Sequence, residues 1–158
     1  MSVKPIPEGY HTITPYLSIK GAAAAIDFYK RAFSAVELIR LDTPDGQVGH
    51  AELKIGDSSI MLADECGEEA PFHNPQALGG STIALHLYVE DADALFGQAV
   101  KAGGKVIKPM EDQFYGDRTG TLQDPYGHVW FVATHKEDLS PEEINRRAEE
   151  MFKKMGGA

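Results

Sequence analysis

The 158-residue chain carries 24 acidic against 15 basic side chains, a formal net charge of −9, with 42% hydrophobic and 25% charged residues. That length supports one well-buried core but not two, and an acidic balance without a basic cluster argues against a nucleic-acid partner. No apolar run approaches the roughly 20 residues needed to cross a bilayer, the opening segment MSVKPIPEGYH lacks the apolar centre of a signal peptide, and a single cysteine, Cys66, allows no internal disulfide, so a cytoplasmic protein without a membrane partner is expected.

The first predicted element is a strand, in which Ile13, Pro15, Leu17 and Ile19 alternate with Thr14, Tyr16 and Ser18. Period-two alternation buries one face and leaves the other for a different purpose. A helix follows within Ala22–Phe33, where Ile26, Tyr29, Ala32 and Phe33 recur at helical spacing. Three strand-like runs come next, about Val36–Leu41, Val48–Ile55 and Ser59–Ala63, with turns at Pro44-Asp45-Gly46 and Gly56-Asp57. Residues 65–80 are rich in Gly, Pro and acids and read as an inter-module connection, with a mobile lid as the alternative. Cys66 lies here beside Glu65, Glu68 and Glu69, neighbours that disfavour a thiolate nucleophile.

A second alternation sets Ile83, Leu85, Leu87 and Val89 against Ala84, His86 and Tyr88. Asp91 is placed to cap a helix that Gly103-Gly104 ends. Strands are predicted at about Lys105–Met110, Arg118–Gln123 and His128–Thr134. The tail, about 140–155, signals a further helix. Ser140 caps it, Pro141 takes the first turn, Glu142 and Glu143 suit its positive end, Lys153 and Lys154 suit the other, and Gly156-Gly157 stops it. Its stripe of Ile144, Ala148, Met151, Phe152 and Met155 must cover either the chain's own sheet or a second subunit.

The two halves repeat. Thr12–Phe33 aligns without a gap on Thr82–Gly103, so that Thr12 meets Thr82, Ile13 meets Ile83, Leu17 meets Leu87 and Ala22 meets Ala92. This spacing is too long for a solenoid and too short for two ordinary domains. The expected fold is therefore α+β, one domain over 1–158. It consists of a βαβββ module at about 12–64, the 65–80 linker, a second βαβββ module at about 82–135 and the C-terminal amphipathic helix. The cleft shared by the halves is the natural place for function.

Two βαβββ modules in one short chain resemble the vicinal oxygen chelate superfamily, which includes glyoxalase I, extradiol dioxygenases, and fosfomycin- and bleomycin-resistance proteins. The resemblance spans roughly Thr12 to His135. Its most telling stretch is QFYGDRTGTLQDPYGHVW, 113–130, whose DPYGH is similar to the DPxGN turn before the family's last strand. The combination of FYGDR, DPYGH and a closing Thr134-His135 looks most like the PhnB-like branch. The resemblance implies that each sheet curls round a cavity with its helix on the convex side. Ile13, Leu17, Leu85, Leu87 and Val89 would then pack under helices. Thr14, Tyr16, Ser18, Ala84, His86 and Tyr88 would face inward, with His50, Glu52 and Lys54 from the third strand and Asp117, Thr119 and Thr121 from the second half.

The metal ligands of the superfamily are missing at the matching positions. A His is usual seven residues before the acid that opens the second helix, and here that position is Ala84. A Glu is usual four residues past the glycine of the DPxG turn, and here that is Phe131. The first-module equivalents fall near Thr14 and near Met61 or Leu62. None is a good donor to a divalent cation, so no cofactor is expected at the family's positions. A shifted site from His50, Glu52 and His86 would suit zinc, nickel or iron; the competing reading makes these three residues polar cavity groups paired with one another. His86 is expected to hydrogen-bond within the cavity, with Tyr16 or Glu52. His11, His73, His128 and His135 read as structural or solvated. Arg118 either orients a ligand carboxylate or pairs with Asp117, and Trp130 is expected beneath the second helix.

Two function classes follow. The first is a metal-free binding protein for a small, partly aromatic or polar organic molecule, of the antibiotic-sequestering kind. Its ligand residues would be Thr14, Tyr16, His50, Glu52, His86, Tyr88, Tyr115, Arg118 and Phe131. The second is a metal-dependent lyase, isomerase or dioxygenase of the glyoxalase type, with Glu52 and His86 as catalytic candidates. A homodimer is expected in either case, because an amphipathic tail and exposed sheet edges favour burial against a second copy.

Overall fold

A computed structural model describes residues 2–156. Its element order is β1 (Tyr16–Ile19), α1 (Ala22–Phe33), β2 (Val36–Asp42), β3 (Val48–Ile55), β4 (Ser58–Asp64), α2 (Pro75–Leu78), β5 (Ala84–Tyr88), α3 (Ala92–Ala102), β6 (Lys105–Asp112), β7 (Asp117–Gln123), β8 (Val129–His135) and α4 (Pro141–Met155). Two four-stranded sheets result, ordered β1-β4-β3-β2 and β5-β8-β7-β6. In each, the first strand pairs parallel with the fourth and the other pairs are antiparallel. The fold is α+β, a βαβββ unit repeated and followed by a helix.

The repeat extends to register. Tyr16 pairs with Met61 in the first sheet and His86 with Phe131 in the second, each residue lying seventy positions from its counterpart. Helix starts are secured in parallel ways. Asp64, at the end of β4, accepts the Gly21 and Ala22 amides at 3.0 and 2.9 Å. The counterpart Thr134, at the end of β8, accepts the Ala92 amide at 2.9 Å. Asp91 also caps α3 through the Ala94 amide. The last strand of each module thus holds the helix that follows its first.

Both helices lie on the side where the modules meet. Buried Leu17, Leu53 and Leu62 of the first sheet share one core with Leu122, Trp130 and Val132 of the second. Trp130 reaches further than sequence reading placed it. It packs on Tyr29 and Phe33 of α1, with ring centroids 5.3 and 4.6 Å away. Parity fixed its face, but that face belongs to a core common to both halves. Gln98 on α3 ties the helices together by donating to the Arg31 and Ala32 carbonyls.

The DPYGH turn sits at the centre of this seam. Asp124 Oδ1 accepts the Tyr126 and His128 amides, and Oδ2 accepts the Tyr29 hydroxyl at 2.6 Å and the Trp130 indole N–H at 2.9 Å. His128 Nε2 lies 3.0 Å from the Ser18 carbonyl, a second bridge between modules. Gly127, at φ +95°, admits Pro75 of α2; a Cβ there would stand 2.7 Å from the proline Cβ.

Three further departures from expectation have local causes. Ile13 is 84% exposed rather than buried, because pairing begins only at Tyr16, after a proline that lacks the ladder donor. The linker contains a short helix, with Asn74 accepting the Ala77 amide at its start. The helix α4 forms as expected, with Ser140 accepting the Glu143 amide, yet it buries no residue. Gly157, part of its expected stop, lies outside the described residues.

Candidate functional site

The helix-free face of the first sheet carries a continuous hydrogen-bond chain. Alternation along β3 buries Val48, Ala51, Leu53 and Ile55 and leaves His50, Glu52 and Lys54 half-buried on the other side. His50 Nε2 lies 3.0 Å from Glu52 Oε1, and its Nδ1 lies 2.7 Å from the Tyr16 hydroxyl on β1. The Tyr10 hydroxyl donates to Glu52 Oε2. These contacts hold the Glu52 carboxyl below the usual carboxylate range, the His50 hydrogen bond being the largest cause and the Tyr10 bond the next. Burial raises the Tyr16 phenol, so it keeps its proton.

Tyr16 opens onto a cavity of about 330 Å³ whose lining includes Ser18, Gly49, Ala63, Asp64, Glu65, Cys66, Glu69 and Phe72. Phe72 meets the Tyr16 ring edge-on at 5.4 Å and 77°. The segment above it is fixed at its base. Glu65 accepts from His73 at 2.7 Å and from the backbone and side-chain nitrogens of Asn74. Gln76 reaches the Pro125 carbonyl. Residues 66–72 are thereby held over the first sheet while the rest of the connection lies on the DPYGH turn.

The second sheet presents a different constellation. His86 stacks on Phe131 at 5.7 Å with ring planes 6° apart, and lies 4.7 Å from Tyr88. The Tyr88 hydroxyl donates to Asp117 Oδ2 at 2.8 Å, and His135 Nδ1 lies 2.7 Å from Asp117 Oδ1. His135 Nε2 approaches Asp138 at 2.8 Å. Hydrogen bonding, to Asp117 first and to Asp138 next, raises the His135 pKa above its ordinary value. Thr119 is buried with its hydroxyl oxygen unpartnered among the described residues.

Set against the sequence-predicted site, His50 takes the hydrogen bonds expected of His86. Among the described residues the His86 side chain makes no hydrogen bond, and its ring lies against Phe131 and Tyr88. Arg118 does not face the cavity. It lies on the helix side of β7, with Nε 2.7 Å from Asp93 and Nη1 3.2 Å from Asp112, and Asp117 pairs with Tyr88 and His135 instead. Tyr115 lies in the β6–β7 turn, edge-on to Phe114. Thr14 is half-buried just before β1. Tyr10 is the member that sequence reading missed, because it precedes every strand and no periodicity marks it. The halves do share a cleft, of about 790 Å³ between the β3–β4 turn and β5, with Pro15, Phe33, His86, Tyr88 and Trp130 in its lining. His50 and Glu52 line neither this cleft nor the cavity beside Tyr16.

The family's metal does not fit these residues. The four equivalent positions hold Thr14, Met61, Ala84 and Phe131, which offer one hydroxyl and one thioether between them. Among the described residues, no three His, Cys, Asp or Glu side chains come together as a metal-binding group, so His50, Glu52 and His86 form no joint site within one chain.

A repeated βαβββ fold with aromatic and polar groups on its helix-free faces defines a class, and comparison with known proteins names it. The profile of the Glyoxalase/Bleomycin resistance protein/Dioxygenase superfamily matches residues 11–132, and the chain belongs to that superfamily. It is 42% identical over 136 residues to an uncharacterised protein of Mycobacterium bovis, covering 84% of this chain and 88% of that protein. The structure of TioX from Micromonospora sp. ML1 superposes with a TM-score of 0.61 at 25% identity, over 82% of this chain and 100% of that one. The PhnB protein from Bacillus cereus shares the fold, with a TM-score of 0.60 and 20% identity over 78% of this chain and 99% of that one. No helix among the described residues is long and apolar enough to cross a membrane.

Proposed function

We propose that this protein binds a small, partly aromatic or polar organic molecule on its helix-free sheet faces, without the metal used by other members of its superfamily. The observation that carries the reading is the replacement of the ligand positions by Thr14, Met61, Ala84 and Phe131 beside two intact polar–aromatic faces. One face offers Tyr16, His50 and Glu52, and the other His86, Tyr88 and Phe131. Aromatic walls with a few placed polar groups are the usual lining of small-molecule sites.

The protein acts as a cytoplasmic homodimer on this reading. The modules meet through their helices, which leaves the cavity faces on the outside of the shared core. All residues of β2 are exposed, including Val36, Leu38, Ile39 and Leu41, and an apolar edge of that kind favours a second copy.

Metal analysis of protein purified without chelators or a His-tag tests the proposal. Near-zero zinc, nickel and iron is expected, together with weaker small-molecule binding in His86→Ala. One equivalent of metal that leaves on His86→Ala would replace this reading with the shifted-site enzyme.

A further inference from the structure

The Glu52–His50–Tyr16 chain has a direction. An ionised carboxylate can only accept hydrogen bonds, and Glu52 is held ionised by the donors aimed at it. With Tyr10 on Oε2, the contact at 3.0 Å on Oε1 requires the His50 proton to sit on Nε2. A neutral imidazole protonated there has a bare Nδ1. With the imidazole neutral, the Tyr16 hydroxyl, 2.7 Å away, must donate its hydrogen bond to that nitrogen. What Tyr16 shows the cavity is oxygen lone pairs.

The cavity's charge narrows the ligand further. No basic side chain among the described residues lines it, so an anion would meet the charge of Asp64, Glu65 and Glu69. Asp64 is already taken up by the Gly21, Ala22 and Val48 amides, and Glu65 by His73 and Asn74. Neutral amide donors leave the Asp64 charge in place, and Glu69 adds another, so the lining disfavours an anion and admits a neutral or cationic ring. The wall made by Tyr16 and Phe72 suits a flat ring.

We infer that the Tyr16 hydroxyl is a fixed hydrogen-bond acceptor, and that the cavity beneath residues 66–72 takes a planar, neutral or cationic molecule carrying a hydroxyl or ring N–H. This rests on the small-molecule reading above and gives it a ligand chemistry. A site wired this way rejects an otherwise similar ring that lacks the donor, because Tyr16 is then left without its partner.

Phenol and anisole are a suitable pair of probes, since they share the ring and differ in the O–H. Titrated into the full-length protein and followed by NMR, phenol should bind at least about tenfold more tightly than anisole. In Tyr16→Phe, the preference should vanish, with phenol and anisole binding alike. The nitrogen shifts of His50 at mildly alkaline pH should report a protonated Nε2 and a bare Nδ1. Equal binding of the two probes, a preference that survives Tyr16→Phe, or a proton on Nδ1 would overturn the acceptor assignment and leave a cavity that binds small molecules. Failure of both probes to bind would overturn this inference and the small-molecule reading of that cavity together.

Discussion

Asp124 is the residue on which the two modules most depend. Its buried carboxylate receives the Tyr29 hydroxyl from one module and the Trp130 indole and two turn amides from the other. Hydrogen bonds to charged groups are worth about 1.5–3 kcal/mol each, and donors left buried without a partner add a penalty. Asp124→Ala should therefore destabilise the chain by about 3 kcal/mol or more, read as a lower urea midpoint, whereas Tyr29→Phe should cost less. An unchanged midpoint in Asp124→Ala would show that the turn finds other partners. His135 gives a pH signature. Its pKa is raised in the fold by Asp117 and then Asp138, so its contribution to stability is complete below the unfolded-state value and fades as pH rises through the folded one. Its ring protons should titrate above the ordinary value of 6.5, and Asp117→Asn should bring the midpoint down. A midpoint at or below the ordinary value in the unmodified protein would exclude the ion pair. Glu52 has the opposite sign, its contribution being lost as pH falls, because its carboxyl is held low by His50 and Tyr10.

At the scale of elements, close approach decides what can be changed. Gly120 on β7 lies beneath α3, where an added Cβ would stand 2.6 Å from Met110 Sδ and 2.8 Å from the Phe96 ring. The methionine can swing aside, but the ring is buried and α3 would have to lift. Gly120→Ala should cost about 1–3 kcal/mol of stability, measurable by thermal melting, and a neutral result would mean that α3 shifts freely. Helix limits were legible in the sequence because helical spacing bounds α1 within Ala22–Phe33 and capping residues bound α3 at Asp91 and Gly103. Strand faces were legible for the same reason, since parity along β3 separates Leu53 from Glu52. Parity does not say which neighbour a residue meets. It put Trp130 on the right face and His86 on a cavity face, yet it could not assign Trp130 to α1 or give the Tyr16 hydrogen bond to His50. Those outcomes depend on how the modules pack and on side-chain reach, and sequence periodicity carries neither. Arg118 was misplaced for a related reason. Its partners Asp93 and Asp112 come from α3 and β6, and only the folded sheet brings them near.

At the scale of the whole molecule, α4 is the element least explained by a single chain. Its amphipathic pattern is strong and both ends are well signalled, yet none of its residues is buried, and Phe152 and Met155 are 61% and 73% exposed. Its attachment to the body combines the half-buried Ile144, Ala148 and Met151 with polar contacts. Arg147 reaches the Phe114 carbonyl at 3.3 Å and Glu137 at 3.1 Å, contacts that solvent weakens. A helix of fifteen residues gains most of its stability from packing an apolar face; the chain half-buries Ile144, Ala148 and Met151, and Phe152 and Met155 still need a surface. A second copy offers one. Sedimentation at micromolar concentration should give twice the 17.2 kDa chain mass. Deletion from Ser140 onward should weaken self-association at least about tenfold while leaving the β-sheet circular dichroism intact, because α4 contributes nothing to the shared core. Phe152→Glu should act in the same direction as the deletion. A full-length chain that sediments at the single-chain mass, or a deletion that associates as tightly as the full chain, would mean that the stripe does not serve a dimer.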